Sequence, residues 1–226
     1  MRHLFITFEG IEGCGKTTQV KLLKNYLDSI SIPCIVTYEP GGTRIGKKIR
    51  EILLEPQNTE IEPLTELLLY MADRAQHIRT VIATMLKDDV VVICDRFSDA
   101  TLAYQGFGRG LSIDHIIELN EWIVGSYKPH CTILIDCPVE LGLKRVADRF
   151  HLSKDRLEKE AITFHQRVRE GYLKIASMDA ERIKVVDGGR EPSEVHREII
   201  EIISPYLTKH ETLMVPRATN KHENAI

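Results

Sequence analysis

The sequence lacks the features that would set it outside the class of ordinary globular domains. Its longest apolar stretches are strand-length, so none is long enough to span a bilayer. No basic excess is present: 30 Lys and Arg stand against 33 Asp and Glu, a net charge of −3. That balance gives no support to a nucleic-acid or membrane-surface partner. The five cysteines (Cys14, Cys34, Cys94, Cys131, Cys137) are odd in number and form no C-x-x-C pair. Reduced thiols in a cytoplasmic compartment are expected. There is no internal repeat, and no signal-peptide pattern precedes the first apolar run. What is there is 226 residues, 43% hydrophobic and 28% charged, enough to bury a substantial core.

The most informative stretch follows an apolar run at 3–8. It reads Gly10-Ile11-Glu12-Gly13-Cys14-Gly15-Lys16-Thr17 and leads into a helical pattern from about Lys16. This is G-x-x-x-x-G-K-[ST] between a strand and a helix, the context that gives the pattern meaning. Glycines let successive backbone N–H groups turn toward one point, and the helix N-terminus adds partial positive charge. Lys16 then reaches the β/γ-phosphates of a nucleotide, and the Thr17 hydroxyl takes a Mg²⁺ position. A GTPase of the switch type would also carry N-K-x-D. The nearest match, Asn220-Lys221-His222-Glu223, has the wrong last residue and the wrong place.

The rest of the chain alternates short apolar strands with helices. Strands are predicted at 3–8, 33–38, 90–95, 131–136 and 182–187. Helices are predicted at about 16–30, 48–54, 63–86, 112–126, 138–149, 157–175 and 192–207. A loop is expected at 96–110. Five such strands argue for an α/β fold, a parallel sheet covered by helices on both faces. Ligands bind past the carboxyl ends of strands in such sheets, where this chain places Glu9, Glu39, Asp95-Arg96, Asp136 and Asp187. One domain is expected over 1–208, with a disordered tail at 209–226, where periodicity is lost.

Three constellations carry chemistry. Asp95-Arg96 closes a buried run, so Asp95 is in position for Mg²⁺ or its water shell, and Glu9 is a weaker metal candidate. Arg96 beside the phosphate loop suits bidentate capture of a second phosphate. Two anionic phosphates brought to bonding distance need such a clamp. Tyr70 and Arg74 lie at i, i+4 on one helix, a pair that can stack on a base and bond its edge; core packing of Tyr70 is the equal alternative. The polar segment around Arg149, Lys154 and Arg156, at about 148–157, suits either a linker or a lid that excludes water and delivers a cation.

Taken together, Phe8–Thr18, Glu39-Pro40-Gly41-Gly42-Thr43, Asp73-Arg74, Asp95-Arg96-Phe97, Ala103-Tyr104-Gln105-Gly106, Gly108-Arg109-Gly110 and Asp155-Arg156-Leu157-Glu158 resemble the thymidylate kinase family, in order over about 4–207. The resemblance implies a P-loop NTPase-type fold of the nucleoside monophosphate kinase kind, transfer of the ATP γ-phosphoryl group to dTMP with Mg²⁺, and a homodimer. It implies ATP contacts at Gly10, Gly13, Cys14, Gly15, Lys16, Thr17 and Thr18. It implies dTMP contacts at Glu12 (sugar 3′-hydroxyl), Arg96 (phosphate), Tyr70 and Arg74 (thymine), Thr101 (base) and Tyr104 (sugar 2′ position), with Glu39, Pro40 and Gln105 shaping the acceptor site. The phosphate loop has no base before Lys16, which resembles the branch whose catalytic cations are lid arginines, here Arg149 and Arg156. Ala100 stands where Ser is common and Phe97 where Tyr or His is frequent. A dUMP, UMP or CMP kinase, or a nucleotide-binding regulator without catalysis, are the alternatives.

Overall fold

The computed structural model describes residues 4–148 and 155–214, with side chains of the last helix as far as residue 207. Five parallel strands, β1 (Phe5–Glu9), β2 (Cys34–Tyr38), β3 (Val91–Asp95), β4 (Cys131–Asp136) and β5 (Ile183–Asp187), form one sheet in the order β2-β3-β1-β4-β5. The chain moves outward from β1 to β2, returns to β3, and crosses to β4 on the other side of β1. The phosphate loop after β1 therefore opens at the point where strand order reverses, which is where open α/β sheets bind ligands. Register brings the strand ends level: Phe8 and Tyr38 both pair with Asp95, and Asp136 pairs with Asp187.

Strand alternation divides the core. Ile6, Phe8, Val91 and Ile93 join the cluster under α1 (Lys16–Ser29), α8 (Ile162–Met178) and α9 (Pro192–Met214). Phe5, Val92 and Cys94 point the other way, onto Ile78, Ile82, Leu86 and Phe97. A sheet buried on both faces needs apolar residues at odd and even positions alike, which is why these strands read as continuous runs.

The helix predicted over 63–86 is one continuous rod: α3 (Pro63–His77), a π-helical turn at Ile78–Ile82, and α4 (Ala83–Lys87). Its start is legible, since Pro63 sits at the first turn, where its missing N–H costs nothing. α2 covers Arg44–Leu54, α6 Ile113–Val124 and α7 Val139–Ala147. Thr43 caps α2 by accepting from the Gly46 N–H at 2.8 Å. Three expectations are corrected. Residues 96–110 are not a loop: α5 (Ser98–Thr101) and a π-helical segment Leu102–Gly108 fill them. Gly106 and Gly108 lower helix propensity there, but a Cβ at Gly108 would come within 2.7 Å of the Phe164 ring. Close packing against α8 sets the backbone. The helix predicted from 157 begins at Ile162, because Asp155 and Glu158 exchange bonds with each other's N–H groups (2.8 and 3.1 Å) in a separate turn. The last helix continues to Met214 rather than ending at 207, so 209–214 are not a disordered tail. The helix runs through an internal Pro205, and from 206 to 214 the sequence holds no Gly or Pro to stop it.

Candidate active site

The phosphate loop is built on glycine where glycine is needed. Gly13 has φ 70°, and a Cβ there would lie 2.0 Å from the Gly142 carbonyl oxygen of α7. Gly15, with φ 110°, caps α1, a left-handed turn that a side chain would strain. Lys16 is folded onto the loop, its Nζ donating to the carbonyls of Gly10 (3.0 Å) and Ile11 (2.9 Å). Thr17 is exposed at the helix start, and its Oγ1 donates to Asp95 Oδ2 at 3.3 Å. The sequence motif and the end of β3 thus meet in one place. Gly10 is buried behind the loop, packed toward Ile135.

A cleft of about 430 Å³ opens in front of this loop. Of the expected acceptor residues, Glu12, Glu39, Pro40, Tyr70, Arg96, Thr101, Tyr104 and Gln105 all line it, as does Ala100. At its centre Arg96 holds φ 70°, a left-handed backbone unusual for Arg, secured by its N–H on the Phe8 carbonyl at 2.9 Å. Its guanidinium donates to Glu12 Oε1 (3.0 Å) and to the Tyr172 hydroxyl (3.1 Å), and lies 4.8 Å from the centre of the Tyr104 ring. Tyr104 also donates to Glu12 Oε1, at 2.5 Å. Burial works to raise the Glu12 carboxyl, but His165, Arg96, Lys16 and Tyr104 together hold it well below the usual carboxylate range. Glu12 is an anion in the mouth of the cleft.

Two expected roles change. Glu9 is fully buried, accepting from the Phe97 N–H (2.7 Å) and the Tyr172 hydroxyl (2.7 Å). Burial and the nearby Asp99 push its carboxyl up to about 8. Both oxygens are taken by protein donors and neither is exposed, so Glu9 offers no open position to a cation and leaves the metal set. Arg74 is 1% exposed and lies behind the cleft wall rather than on it. Its N–H groups donate to Glu39 (2.9 Å), Thr101 (2.8 Å), Asn120 (2.9 Å) and the Phe97 carbonyl (2.9 Å). The i, i+4 spacing placed Tyr70 and Arg74 on one helix face, but only Tyr70 meets open space. Phe97, whose ring the Arg74 guanidinium covers at 5.4 Å, is a wholly buried spacer.

Of the polar segment expected as a lid, residues 148 and 155–157 are among those described. Arg149 and Lys154 lie outside the described residues. Arg156 is buried, donating from Nε to the Leu53 carbonyl (2.8 Å) and from its terminal nitrogen to Glu66 Oε2 (2.5 Å). Glu66 also takes Arg109 and Gln105. Arg156 therefore ties its own turn to α2 and α3 and does not reach the phosphate loop.

Sequence reasoning missed Tyr172 and His165, which α8 delivers to Arg96 and Glu12. Tyr172 stands four residues after Val168, in step with the predicted apolar face of that helix, so it was readable as a buried position though not as a partner of Arg96. Also missed was a second hollow of about 260 Å³ behind the phosphate loop, lined by Cys14, Thr18, Arg145, Gly188 and Arg190. There Arg145 donates to the Gly188 carbonyl at 2.9 Å. The Asp187-Gly188 ending of β5 was the available signal.

Comparison with known proteins points the same way. A sequence model described as thymidylate kinase matches residues 8–199. A thymidylate kinase of Geotalea daltonii is 52% identical over 195 residues, covering 84% of this chain and 91% of the relative. One from Geotalea uraniireducens is 49% identical over 199 residues, covering 86% and 93%. The crystal structure of thymidylate kinase from Ehrlichia chaffeensis superposes with a TM-score of 0.72 at 34% identity, covering 89% of this chain and 98% of that one.

Proposed function

The chain belongs to the thymidylate kinase family and transfers the γ-phosphoryl group of ATP to dTMP, giving ADP and dTDP; from the cleft geometry we propose how its residues do so. The observation that carries the assignment is the junction of Arg96, Glu12 and Tyr104 within one cleft of the phosphate loop. Arg96 holds the dTMP phosphate, Glu12 accepts from the sugar 3′-hydroxyl, and Tyr104 crowds the 2′ position. Tyr70 stacks on thymine, Thr101 and Gln105 contact the base side, and Glu39 with Pro40 forms the facing wall. Arg74 acts on the base through Glu39 and Thr101, whose positions it fixes.

On the donor side the loop N–H groups of residues 13–18 and Lys16 cradle the ATP phosphates. Lys16 exchanges its carbonyl partners for phosphate oxygens. Thr17 and Asp95 fit a Mg²⁺ held through one protein hydroxyl, one carboxylate or its waters, and the phosphates, since their oxygens already lie 3.3 Å apart. When bound, the ion neutralises charge on the transferring phosphoryl group. No general base is needed, because a phosphate monoester is mostly deprotonated at neutral pH. With Arg156 engaged by Glu66, the lid cation that meets the transition state is assigned to Arg149 on sequence grounds.

A homodimer is supported by exposed apolar side chains on neighbouring α3 and α6, Leu64, Leu68 and Trp122. A cytoplasmic location is supported by five free cysteines; among the described residues no helix is long and apolar enough to cross a membrane. The test of the acceptor assignment is ADP release across dTMP, dUMP, UMP and CMP. A highest kcat/KM for dTMP is expected, and a preference for UMP overturns the base and sugar contacts proposed.

A further inference from the structure

Three buried polar atoms without a well-aligned hydrogen bond meet beside the cleft: Glu12 Oε2 and both ring nitrogens of His165. His165 is 1% exposed on the inner face of α8, its ring edge-on to Phe164. Its Nδ1 stands 3.3 Å from Glu12 Oε2, the oxygen left over when Arg96 and Tyr104 take Oε1. A carboxylate held only through one oxygen swings about the bond to that oxygen. A second contact on the other oxygen fixes the plane of the group. Buried orphan polar atoms are rare and call for an explanation, and a plain core position at His165 would be served by an apolar ring.

We propose that His165 is a positioning residue for the acceptor sugar: through Nδ1 it fixes the Glu12 carboxylate so that this group presents an acceptor to the 3′-hydroxyl. The inference rests on the reading of Glu12 as the sugar contact. Its effect is on selectivity for the 3′-hydroxyl more than on binding of ATP. His165 touches neither nucleotide.

The measurement is the ratio of kcat/KM for dTMP to that for 3′-deoxy-dTMP, with ATP saturating. Glu12→Gln tests the underlying reading, and a ratio unchanged in that variant means Glu12 does not read the sugar. His165→Phe keeps the volume and aromatic packing but removes both nitrogens. His165→Asn places an amide nitrogen near the Nδ1 position. The ratio is expected to fall about tenfold in His165→Phe, the worth of one hydrogen bond to a charged group, and to recover most of that in His165→Asn. The KM for ATP should move less than twofold in either. The double variant His165→Phe with Glu12→Gln should add nothing to Glu12→Gln alone. If the ratio falls in Glu12→Gln but stays at the wild-type value in His165→Phe, His165 is only a core residue. If His165→Phe lowers both substrates equally, the same conclusion holds. Circular dichroism and Tm on each variant separate a fold defect from either outcome, and His165→Leu, which also lacks both nitrogens, takes the place of the Phe variant with the same expected fall should that one fail to fold.

Discussion

Arg96 and Glu12 close on each other across the mouth of the cleft, 84 residues apart in sequence and 3.0 Å apart in space. The pair ties the end of β3 to the phosphate loop, so the cation proposed for the acceptor and the loop proposed for the donor are held against each other. Arg96→Ala removes the guanidinium that pairs with Glu12 in this cleft and leaves that carboxylate underpaired. A fall in kcat/KM for dTMP of about a hundredfold or more is expected, with KM for ATP little changed. Steady-state ADP release measures both. Equal losses for the two substrates would instead indicate a damaged fold.

Asp95 faces Thr17 at the position proposed for the metal. Asp95→Asn keeps the shape and the hydroxyl contact but removes the charge. The Mg²⁺ concentration for half-maximal rate should rise about tenfold or more. A titration of rate against Mg²⁺ at fixed ATP checks this, and an unmoved midpoint rules Asp95 out of the metal's surroundings.

Glu9 carries a pH signature. Unfolded, it ionises near its ordinary value of 4.5, and folded, near about 8. Between those values the folded state keeps a proton that the unfolded state has lost, so stability falls as pH rises through this window. Below it the contribution is complete, and above it the contribution is gone. Glu9→Gln keeps an acceptor for the Phe97 N–H without the titration. Relative to that variant, wild type should lose on the order of 2–4 kcal/mol between pH 5 and pH 8, read from denaturant midpoints. Parallel profiles would show that Glu9 ionises normally.

Gly13→Ala forces a Cβ against the Gly142 carbonyl at a φ of 70°. Neither backbone can yield without moving the loop or α7. A destabilisation of about 2 kcal/mol or more is expected, seen as a Tm lowered by several degrees and a raised KM for ATP. Unchanged values of both would mean that the loop and α7 are not in contact in solution.

Trp122 is 81% exposed on α6. If this face is the dimer contact, Trp122→Lys should shift sedimentation of the protein toward the monomer at micromolar concentration while leaving helix content intact. A wild-type chain that already sediments as a monomer removes the homodimer from the proposal.

The strands were legible because a doubly covered parallel sheet demands uninterrupted apolar runs, and Cys131–Asp136 falls where the run predicts. The phosphate loop was legible because glycine conformation and lysine reach are local properties, fixed within eight consecutive residues. The segment 96–110 was not legible, since its π-helical backbone is dictated by the rings of α8 rather than by its own glycines. Helical spacing misplaced Arg74 and a strand-end position misplaced Glu9, because neither reports how deep a side chain lies.

The sequence by itself determined the order of strands and helices, the phosphate cradle, and the residue types that make an acceptor site. Those depend on periodicity, propensity and short-range backbone geometry. Only the tertiary structure decided which charges meet: Arg96 with Glu12, Arg156 with Glu66, His165 beside Glu12. Such pairs are set by the close packing of α8, α3 and the sheet, where burial makes a partner within about 3 Å stabilising and an unpartnered charge costly.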